Sequence, residues 1–342
     1  MYDTALLIGR FEPVHSGHLA LLREALARAR RAIVVVGSAH QARTPKNPFT
    51  WQEREAMLRG ALPFDDAARL IVLPVRDYYD EARWVQAVQA AVARHVAAGA
   101  RVALVGHFKD ASSGYLRAFP GWELVPVERQ GSIDATAIRN AYFGAYLGGA
   151  GLNALAGQMP DSTLRFLHAF AQQPAYAALQ EEWRTLASYR AAWAQAPYPP
   201  VFVTVDAVLR CQDQVLLIRR AHAPGKDLWA LPGGFLEPRD TLWQSCLREL
   251  AEETSAALTE DQLRAALCEV RVFDHPDRSQ RGRTITHAHY FDLGDAPLPA
   301  VQGGDDAAAA HWVPVEQLPA LEDTLFEDHF HILDHFLHLT QA

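Results

Sequence analysis

The first half of the chain alternates short apolar runs with longer amphipathic ones, and this alternation limits the possible folds more than any other feature. The apolar runs are TALLIG, AIVVVGSA, RLIVLPV, RVALVGH and WELVPVE. The segments between them carry apolar residues at helical spacing, and they are GHLALLREALARARR, TWQEREAMLRGAL, EARWVQAVQAAVARHV and SSGYLRAF. Nearly continuous apolar strands joined by helical crossovers predict an α/β domain built on a doubly wound parallel sheet.

The second half has a different pattern. A helical segment from about Asp161 to Ala194 is interrupted by the prolines of QAPYPP, so we predict domains at 1–194 and 201–342 with a linker at 195–200. VFVTVDAVLRCQDQVLLIRR alternates as an antiparallel hairpin does. A helix at Leu242–Thr254, the strands CEVRVFDH and TITHAHYFDL, the segment AHWVPVEQL and a C-terminal helix follow. These elements predict an α+β domain with a mixed sheet.

Bulk composition excludes several classes of protein. The formal net charge is −8 and the sequence has no block of Lys or Arg, which disfavours a nucleic-acid-binding protein. The three cysteines are widely spaced and form no CxxC pair, so we expect neither a disulfide framework nor a zinc site. No apolar run approaches the ~18–20 residues of a membrane helix. We therefore expect a cytoplasmic protein that binds no membrane, and the sequence is compatible with a homo-oligomer.

Two histidines, His15 and His18, stand three residues apart in LLIGRFEPVHSGHLALL, where a strand ends and a helix begins. Three interpretations fit this position: the histidines are metal ligands, they are ordinary polar residues at a helix start, or they are hydrogen-bond donors to an anion. A metal site requires a third ligand, and none is patterned nearby. Gly17 allows close backbone approach, and a helix N-terminus directs free N–H groups at anions. We therefore favour a clamp for a polyphosphate.

The same stretch resembles a known signature. GRFEPVHSGH is similar to the HxGH motif of the nucleotidyltransferase superfamily, and its prefix, Gly9-Arg10-Phe11, resembles archaeal-type nicotinamide mononucleotide (NMN) adenylyltransferases. NPFTWQEREAML, VGHFKDASSGYL and IDATAIR resemble further segments of that family in the same order. The resemblance implies transfer of AMP from ATP to NMN, which yields NAD and pyrophosphate.

The resemblance also implies roles for single residues. It implies that His15 and His18 hold the ATP phosphates and are catalytic, with His18 stabilising the transition state. Thr136 is expected to cap a helix and Arg139 to reach the triphosphate. Trp84 is expected to stack on the nicotinamide ring, although a core position on an amphipathic helix is the alternative. The complete set of expected nucleotide contacts is Gly9, Arg10, Phe11, His15, His18, Lys46, Trp84, Thr136 and Arg139. Asp134-Ala135 and Gly114 depart from the family pattern.

A second candidate site lies in GGFLEPRDTLWQSCLRELAEETS. Glu249, Glu252 and Glu253 fall at i, i+3 and i+4, so they share one helix face. A solvated acidic face has the same spacing. Carboxylates this close repel one another unless they are solvated or hold a cation, and Mg²⁺ suits oxygen ligands and phosphate substrates. Arg248 is expected to pair with an upstream carboxylate, and Gly233 can offer its backbone carbonyl.

This stretch resembles the Nudix box, Gx5Ex7REUxEExGU, in which U is a bulky apolar residue. Asp240 replaces the first glutamate of the box, and Ser255 replaces its last glycine. The resemblance implies metal binding by Gly233, Glu249, Glu252 and Glu253, the last two also counted as catalytic. We expect Mg²⁺, or Mn²⁺ in its place, at both sites of the chain. In similar fused proteins the substrate is ADP-ribose, which gives AMP and ribose 5-phosphate, and Asp305 or Asp306 is a candidate base.

The sequence therefore predicts a bifunctional enzyme whose ligands are ATP, NMN, NAD and ADP-ribose. Three alternatives remain open at the level of sequence. In the first, the Nudix domain is a sensor that binds ADP-ribose without cleaving it. In the second, it hydrolyses another dinucleotide such as NADH. In the third, the adenylyltransferase uses nicotinic acid mononucleotide instead of NMN.

Overall fold

The computed structural model describes residues 1–106, 116–128, 134–144, 152, 155 and 157–340. Residues 107–115, which include most of VGHFKDASSGYL and Gly114, lie outside the described residues, as does Ile133 of IDATAIR. The chain divides into two compact units, Met1–Trp183 and Arg184–Gln341. The linker at 195–200 stays a prediction, because this division falls inside a helix that ends just before it.

Unit 1 contains a five-stranded sheet with the strand order β3-β2-β1-β4-β5, and every neighbouring pair is parallel. This confirms the doubly wound parallel sheet. Its strands are β1 (Tyr2–Gly9), β2 (Ala29–Val36), β3 (Leu70–Pro74), β4 (Val102–Gly106) and β5 (Glu123–Pro126). Its helices are α1 (Ser16–Arg28), α2 (Trp51–Gly60), α3 (Phe64–Ala68), α4 (Glu81–Ala93), α5 (Ala135–Gly144), α6 (Asp161–Phe170) and α7 (Pro174–Trp193), the last of which continues past the division.

The sheet of unit 1 is buried on both faces. Leu7 and Val34 point to one face, where they join a core with Phe143 of α5. Leu6 points to the other face, where it joins a core with Val88 of α4. A strand that is covered on both faces has apolar residues at nearly every position, which accounts for the continuous apolar runs.

The predicted end of α1 was wrong. The helical pattern of GHLALLREALARARR extends to Arg31, but α1 ends at Arg28 and β2 begins at Ala29. Ala29 pairs with Tyr2 and Arg31 pairs with Thr4 in the ladder between β1 and β2. The helix therefore ends where the chain reaches its partner strand, and amphipathic spacing alone carries no record of that contact.

Unit 2 contains a mixed sheet with the order β10-β11-β6-β7-β12, and the short strands β8 and β9 pair with β7 and β6. Only β6 and β11 run parallel; the other pairs are antiparallel. The strands are β6 (Val201–Cys211), β7 (Gln214–Arg220), β8 (Trp229–Ala230), β9 (Gly233–Phe235), β10 (Leu267–Phe273), β11 (Arg283–Asp292) and β12 (Ala307–Pro314). The helices are α8 (Leu242–Thr254), α9 (Glu260–Ala266), a 3₁₀ helix (Val315–Thr324) and α10 (His329–Leu337). The α+β prediction is confirmed.

Helices cover both faces of the second sheet. Leu250 of α8 and Leu263 of α9 belong to one core, and Phe330 and Leu333 of α10 belong to another. Among the described residues, no helix is both long enough and apolar enough to cross a membrane.

Candidate functional sites

The two histidines of unit 1 sit at the first turn of α1, at the carboxyl end of β1. His15 is the N-cap residue, and its Nδ1 accepts the N–H of Gly17 at 3.2 Å. The N–H of His15 donates to Nδ1 of His18 at 3.4 Å. A neutral imidazole whose Nδ1 accepts carries its proton on Nε2, so both rings are set as Nε2–H donors. Their centroids lie 3.7 Å apart in a stacked pair, which places two donors side by side.

Gly9, Phe11 and Gly17 shape the backbone around this pair. The N–H of Gly37 donates to the carbonyl of Gly9 at 3.0 Å, where β1 ends. Phe11 has a left-handed backbone with φ of 58°, and its ring lies 4.8 Å from that of His18. A Cβ on Gly17 would stand 3.1 Å from the His15 ring, so a side chain there would press against the ring. The turn is therefore packed tightly around the two imidazoles.

Glu12 joins three of the motif segments. Its side chain is buried beside Arg54 of α2, with Oε1 at 3.2 Å from Nη1. Its other carboxylate oxygen accepts the N–H of Phe49, and its backbone carbonyl accepts Nη1 of Arg139 at 2.7 Å. Burial raises the pKa of Glu12 to about 7. Neither Glu12 nor Arg54 stands out from the sequence as a site residue. The available signal is that each is a charged residue within a recognised motif, GRFEPVHSGH and NPFTWQEREAML.

Arg139 lies near the start of α5 and is buried. Its Nη2 donates to Oγ1 of Thr136 at 3.2 Å. Burial lowers the pKa of Arg139 to about 10, and the charge of Arg10 acts in the same direction. The expectation that Thr136 caps the helix was wrong, because Asp134 accepts the N–H groups of Thr136 and Ala137 at 2.7 and 3.0 Å. Thr136 is already inside α5, so its hydroxyl is available to Arg139.

The remaining expected contacts of unit 1 are less closely tied to this site. Nη1 of Arg10 donates to the side chain of Asn47 at 3.3 Å, which places Arg10 beside the segment that begins with Lys46. Trp84 lies on α4 and contacts the ring of Phe119 edge-on, with 5.7 Å between the ring centroids. It is partly buried against the core of unit 1 that contains Leu6 and Val88. The roles of Lys46 and Trp84 in nucleotide binding stay predictions.

In unit 2, two carboxylates of α8 converge on the glycine pair of β9. Glu253 is buried, and its Oε2 accepts the N–H of Gly233 at 2.8 Å. Burial raises the pKa of Glu253 to about 8, and the charge of Glu249 acts in the same direction. A Cβ on Gly234 would stand 2.5 Å from Oε1 of Glu249, so a side chain there would displace the Glu249 carboxylate from the glycine pair.

The third glutamate, Glu252, is held elsewhere. Arg248 places Nη1 at 2.8 Å from Glu252, Nη2 at 3.0 Å from Glu249 and Nε at 3.4 Å from Asp240. The expected pairing of Arg248 with Asp240 is present, and it is the longest of the three. Among the described residues, no group of three or more His, Cys, Asp or Glu side chains is arranged to hold a metal ion. The structure therefore places Glu249 and Glu253 at the glycine pair of β9, whereas Glu252 forms an ion pair with Arg248.

The donor set nevertheless fits a hard divalent cation. Glu249 and Glu253 are acids whose pKa is raised, in both cases chiefly by burial. Carboxylates in such a site gain stability from a cation, and all-oxygen ligands suit Mg²⁺ or Mn²⁺. Gly233 and the three glutamates are the residues that would hold it.

Local structure fixes the two ends of α8. Thr241 accepts the N–H of Gln244, and Gln244 accepts the N–H of Thr241, which forms a capping box. At the other end Ser255 has φ of 50° and donates its N–H to Ala251. The helix thus closes with a left-handed serine in place of glycine, as the departure from the Nudix box implied.

A buried polar cluster behind the glycine pair was not foreseen. Asp206 accepts the hydroxyl of Thr286 at 2.5 Å and lies 3.8 Å from Nε2 of His329. Nδ1 of His329 accepts the N–H of Leu231 at 2.8 Å, two residues before Gly233. The sequence signal was a single aspartate inside the apolar strand VTVDAVL. This cluster anchors the chain that leads into the glycine pair of β9.

Comparison with known proteins agrees with this division into two sites. The family model described as "Cytidylyltransferase-like" matches residues 6–139, and the model described as "NUDIX domain" matches residues 200–336. The fold and the sites therefore define a nucleotidyltransferase joined to a Nudix domain.

Relatives define the family more narrowly. A bifunctional NMN adenylyltransferase/ADP ribose pyrophosphatase from Francisella tularensis has a crystal structure that matches at 35% identity and a TM-score of 0.91, covering 99% of each chain. A nicotinamide/nicotinic acid mononucleotide adenylyltransferase of Acinetobacter baylyi is 35% identical over 184 residues, which is 54% of this chain and 94% of that protein. An ADP-ribose pyrophosphatase of Methanocaldococcus jannaschii is 34% identical over 119 residues, 35% of this chain and 65% of that protein. The chain belongs to the family of bifunctional NMN adenylyltransferase/ADP-ribose pyrophosphatases.

Proposed function

We propose that unit 1 transfers AMP from ATP to NMN, giving NAD and pyrophosphate, and that unit 2 hydrolyses ADP-ribose to AMP and ribose 5-phosphate. The observation that carries this proposal is the match, over 99% of both chains, to a protein that bears both activities in its name. The name of the Acinetobacter relative includes nicotinic acid mononucleotide, so that nucleotide is the alternative acceptor.

In unit 1 the phosphate of the mononucleotide attacks the α-phosphorus of ATP, and pyrophosphate leaves. Such a transfer depends mainly on positioning and on neutralising charge, so it requires no strongly perturbed base. The Nε2–H groups of His15 and His18 act as donors to the polyphosphate at the start of α1. Arg139, held by the carbonyl of Glu12 in the same turn, adds a positive charge for the polyphosphate.

In unit 2 a divalent cation would supply charge neutralisation and an activated water for attack on the pyrophosphate. Glu249, Glu253 and the carbonyl of Gly233 would hold it, and Glu252 would join them on turning away from Arg248. The side chain of Glu252 is 45% exposed, so this movement requires no repacking of the core. The N–H of Gly233 keeps the carboxylate of Glu253 beside the glycine pair.

We further propose Mg²⁺ as the ion, with Mn²⁺ as a substitute, and ATP as the adenylyl donor. One of the Francisella crystal structures is described as a complex with AMP and a Mn ion, which supports a divalent cation in this family. Cys211, Cys246 and Cys268 are unpaired. Unpaired cysteines suit a reducing cytoplasm, which is the location we propose.

Product chromatography tests both activities on one sample. The purified full chain with Mg²⁺ is given NMN plus ATP and, separately, ADP-ribose. We expect NAD in the first reaction and AMP in the second. Calorimetry on the second mixture distinguishes a hydrolase from a sensor, because ADP-ribose binding without AMP at any Mg²⁺ or Mn²⁺ concentration would contradict the assignment of hydrolysis.

A further inference from the structure

The strand β10 forms one edge of the sheet in unit 2. It pairs with β11 on one side, and no strand among the described residues pairs with its other side. Its five central positions are all exposed, including Val270 at 44% and Val272 at 45%. An exposed edge strand presents unpaired N–H and C=O groups that readily add another strand.

This edge has few of the features that protect against such pairing. Natural edge strands carry proline, charged side chains such as lysine, or a central bulge; β10 has no proline or lysine, and its two charged residues, Glu269 and Arg271, are of opposite sign. Its ladder with β11 is regular from Glu269 to Phe273, and the single irregularity lies at its beginning, between Leu267 and Glu269. The exposed valines therefore lie on a straight part of the strand.

The sequence of β10, LCEVRVF, is complementary to itself when it is reversed. Two copies that run antiparallel about an axis at Val270 set Val270 opposite Val270 of the second copy. Glu269 then faces Arg271 of the second copy, and the reverse pair forms as well. At the outer positions, Val272 and Phe273 lie opposite the irregular start of the second copy, which carries Cys268 and Leu267. Apolar residues thus meet apolar residues and each charge meets its opposite, an arrangement that stabilises cross-strand pairs.

We propose that the outer edge of β10 is a homodimer interface in which the same strand of a second copy pairs antiparallel about Val270. Side chains alternate between the faces of a strand, so the two valines lie on one face and the charged pair on the other. Glu269 contacts His335 of α10 at 3.4 Å, and Phe273 contacts the rings of His335 and Phe336. The charged face is therefore the α10 side. Pairing of one strand buries less than the ~1,000 Å² of a stable interface, so the dimer is concentration-dependent.

Charge reversal tests the register. Sedimentation of the full chain over a range of concentrations should show a monomer–dimer equilibrium. Arg271→Glu places like charges opposite each other and should shift the midpoint to at least about tenfold higher concentration. The double variant Glu269→Arg/Arg271→Glu restores opposite charges and should restore the dimer. Arg264→Glu, which reverses another exposed arginine of unit 2, is the control and should leave the midpoint unchanged.

A disulfide trap tests the same register independently. In the proposed dimer Val270 faces Val270 of the second copy, within the regular part of the strand, so Val270→Cys in a Cys268→Ser background should yield a covalent dimer under mild oxidation. Val272→Cys in the same background is the control. It has no cysteine opposite it, and the two copies of position 272 are about 13 Å apart along the strand, so it should yield no covalent dimer. A wild type that stays monomeric at every concentration, a dimer that ignores Arg271→Glu, or a Val270→Cys trap that forms no covalent dimer would each overturn the proposal.

Discussion

Glu12 and Arg54 form an ion pair at 3.2 Å between side chains that are each 1% exposed. The pair lies between the HxGH turn and α2, and Arg54 also donates to the backbone carbonyls of Arg10, Gly37 and Ser38. A buried guanidinium with this many acceptors fixes the relative positions of the segments that it touches. Arg54, which is not one of the expected nucleotide contacts, therefore holds the turn that carries the two histidines.

The first prediction concerns this pair. Arg54→Met leaves a buried carboxylate and three carbonyls without their donor, so we expect a loss of about 3–5 kcal/mol in the free energy of unfolding. Arg59→Met breaks the more exposed pair with Glu55 on the same helix and should cost less than about 1 kcal/mol. Urea titration with residual NAD synthesis as the readout measures both midpoints. Equal midpoints for the two variants would show that the pair does not hold the fold.

The second prediction separates the two activities. His18→Ala removes one of the two stacked donors, so NAD synthesis should fall by ~10²-fold or more. Hydrolysis of ADP-ribose should be unchanged, because the glutamates that would hold its metal belong to unit 2. Both rates are measured on one preparation whose circular dichroism matches that of the wild type. Joint loss of the two activities in a folded variant would rule out two independent sites.

Sequence alone was sufficient where the signal is local. The parallel sheet was predictable from the apolar runs, because a strand that is buried on both faces has apolar residues at nearly every position. The left-handed end of α8 followed from the position of Ser255 in a recognised motif. Contacts between distant segments were not predictable in this way. Nothing near Glu12 in the sequence indicates that Arg54 is its partner, and no local pattern shows that β2 ends α1.

The glutamate trio shows a different limit. Spacing put Glu249, Glu252 and Glu253 on one helix face, and they do share α8. Spacing could not show which carboxylate Arg248 would bind most closely. The arginine reaches both Glu249 and Glu252, and Asp240, one methylene shorter than the glutamate of the Nudix box, holds it at 3.4 Å. The competition among three carboxylates for one guanidinium is a property of the folded site.

The third prediction concerns the domain boundary. A fragment of Met1–Ala194 keeps α7 whole and should fold and make NAD. The first half of α7 belongs to the core of unit 1, since Tyr176 and Leu179 are buried there. A fragment that ends at Trp183 cuts the helix and should be less stable. Solubility and NAD synthesis measure both fragments, and an insoluble or inactive 1–194 fragment would show that the boundary lies elsewhere.

The fourth prediction is a pH dependence set by Glu253. Its pKa is about 8 in the folded protein and ~4.3 in an unfolded chain. The folded state binds the proton of Glu253 more tightly than the unfolded chain does, so the protonated side chain stabilises the folded state. This contribution to the free energy of unfolding is complete below about pH 4.3 and is lost as the pH rises to about 8. In EDTA, wild type should therefore lose stability relative to Glu253→Gln between pH 5 and 9, because the amide does not titrate. Calorimetric unfolding of both proteins measures the difference, and a constant difference would contradict the raised pKa.

The fifth prediction distinguishes two adjacent aspartates as the base of the hydrolase. Gly304, just before Asp305, donates its N–H to the carbonyl of Glu253. Burial raises the pKa of Glu249, and the charges of Glu252 and then Asp305 act in the same direction. Asp306 instead faces His222 at 3.8 Å. Of the two aspartates, Asp305 is the one whose charge acts on Glu249, so we expect it to be the base.

Both aspartates are exposed and adjacent, so they make a matched pair. Asp305→Asn should lower kcat for ADP-ribose by ~10²–10⁴-fold, with little change in KM, because a general base acts on the chemical step. Asp306→Asn should retain nearly full turnover. The acidic limb of the pH–rate profile should disappear in Asp305→Asn, which a purely structural role would not cause. If Asp306→Asn were the slower variant, the assignment of Asp305 as the base would be wrong.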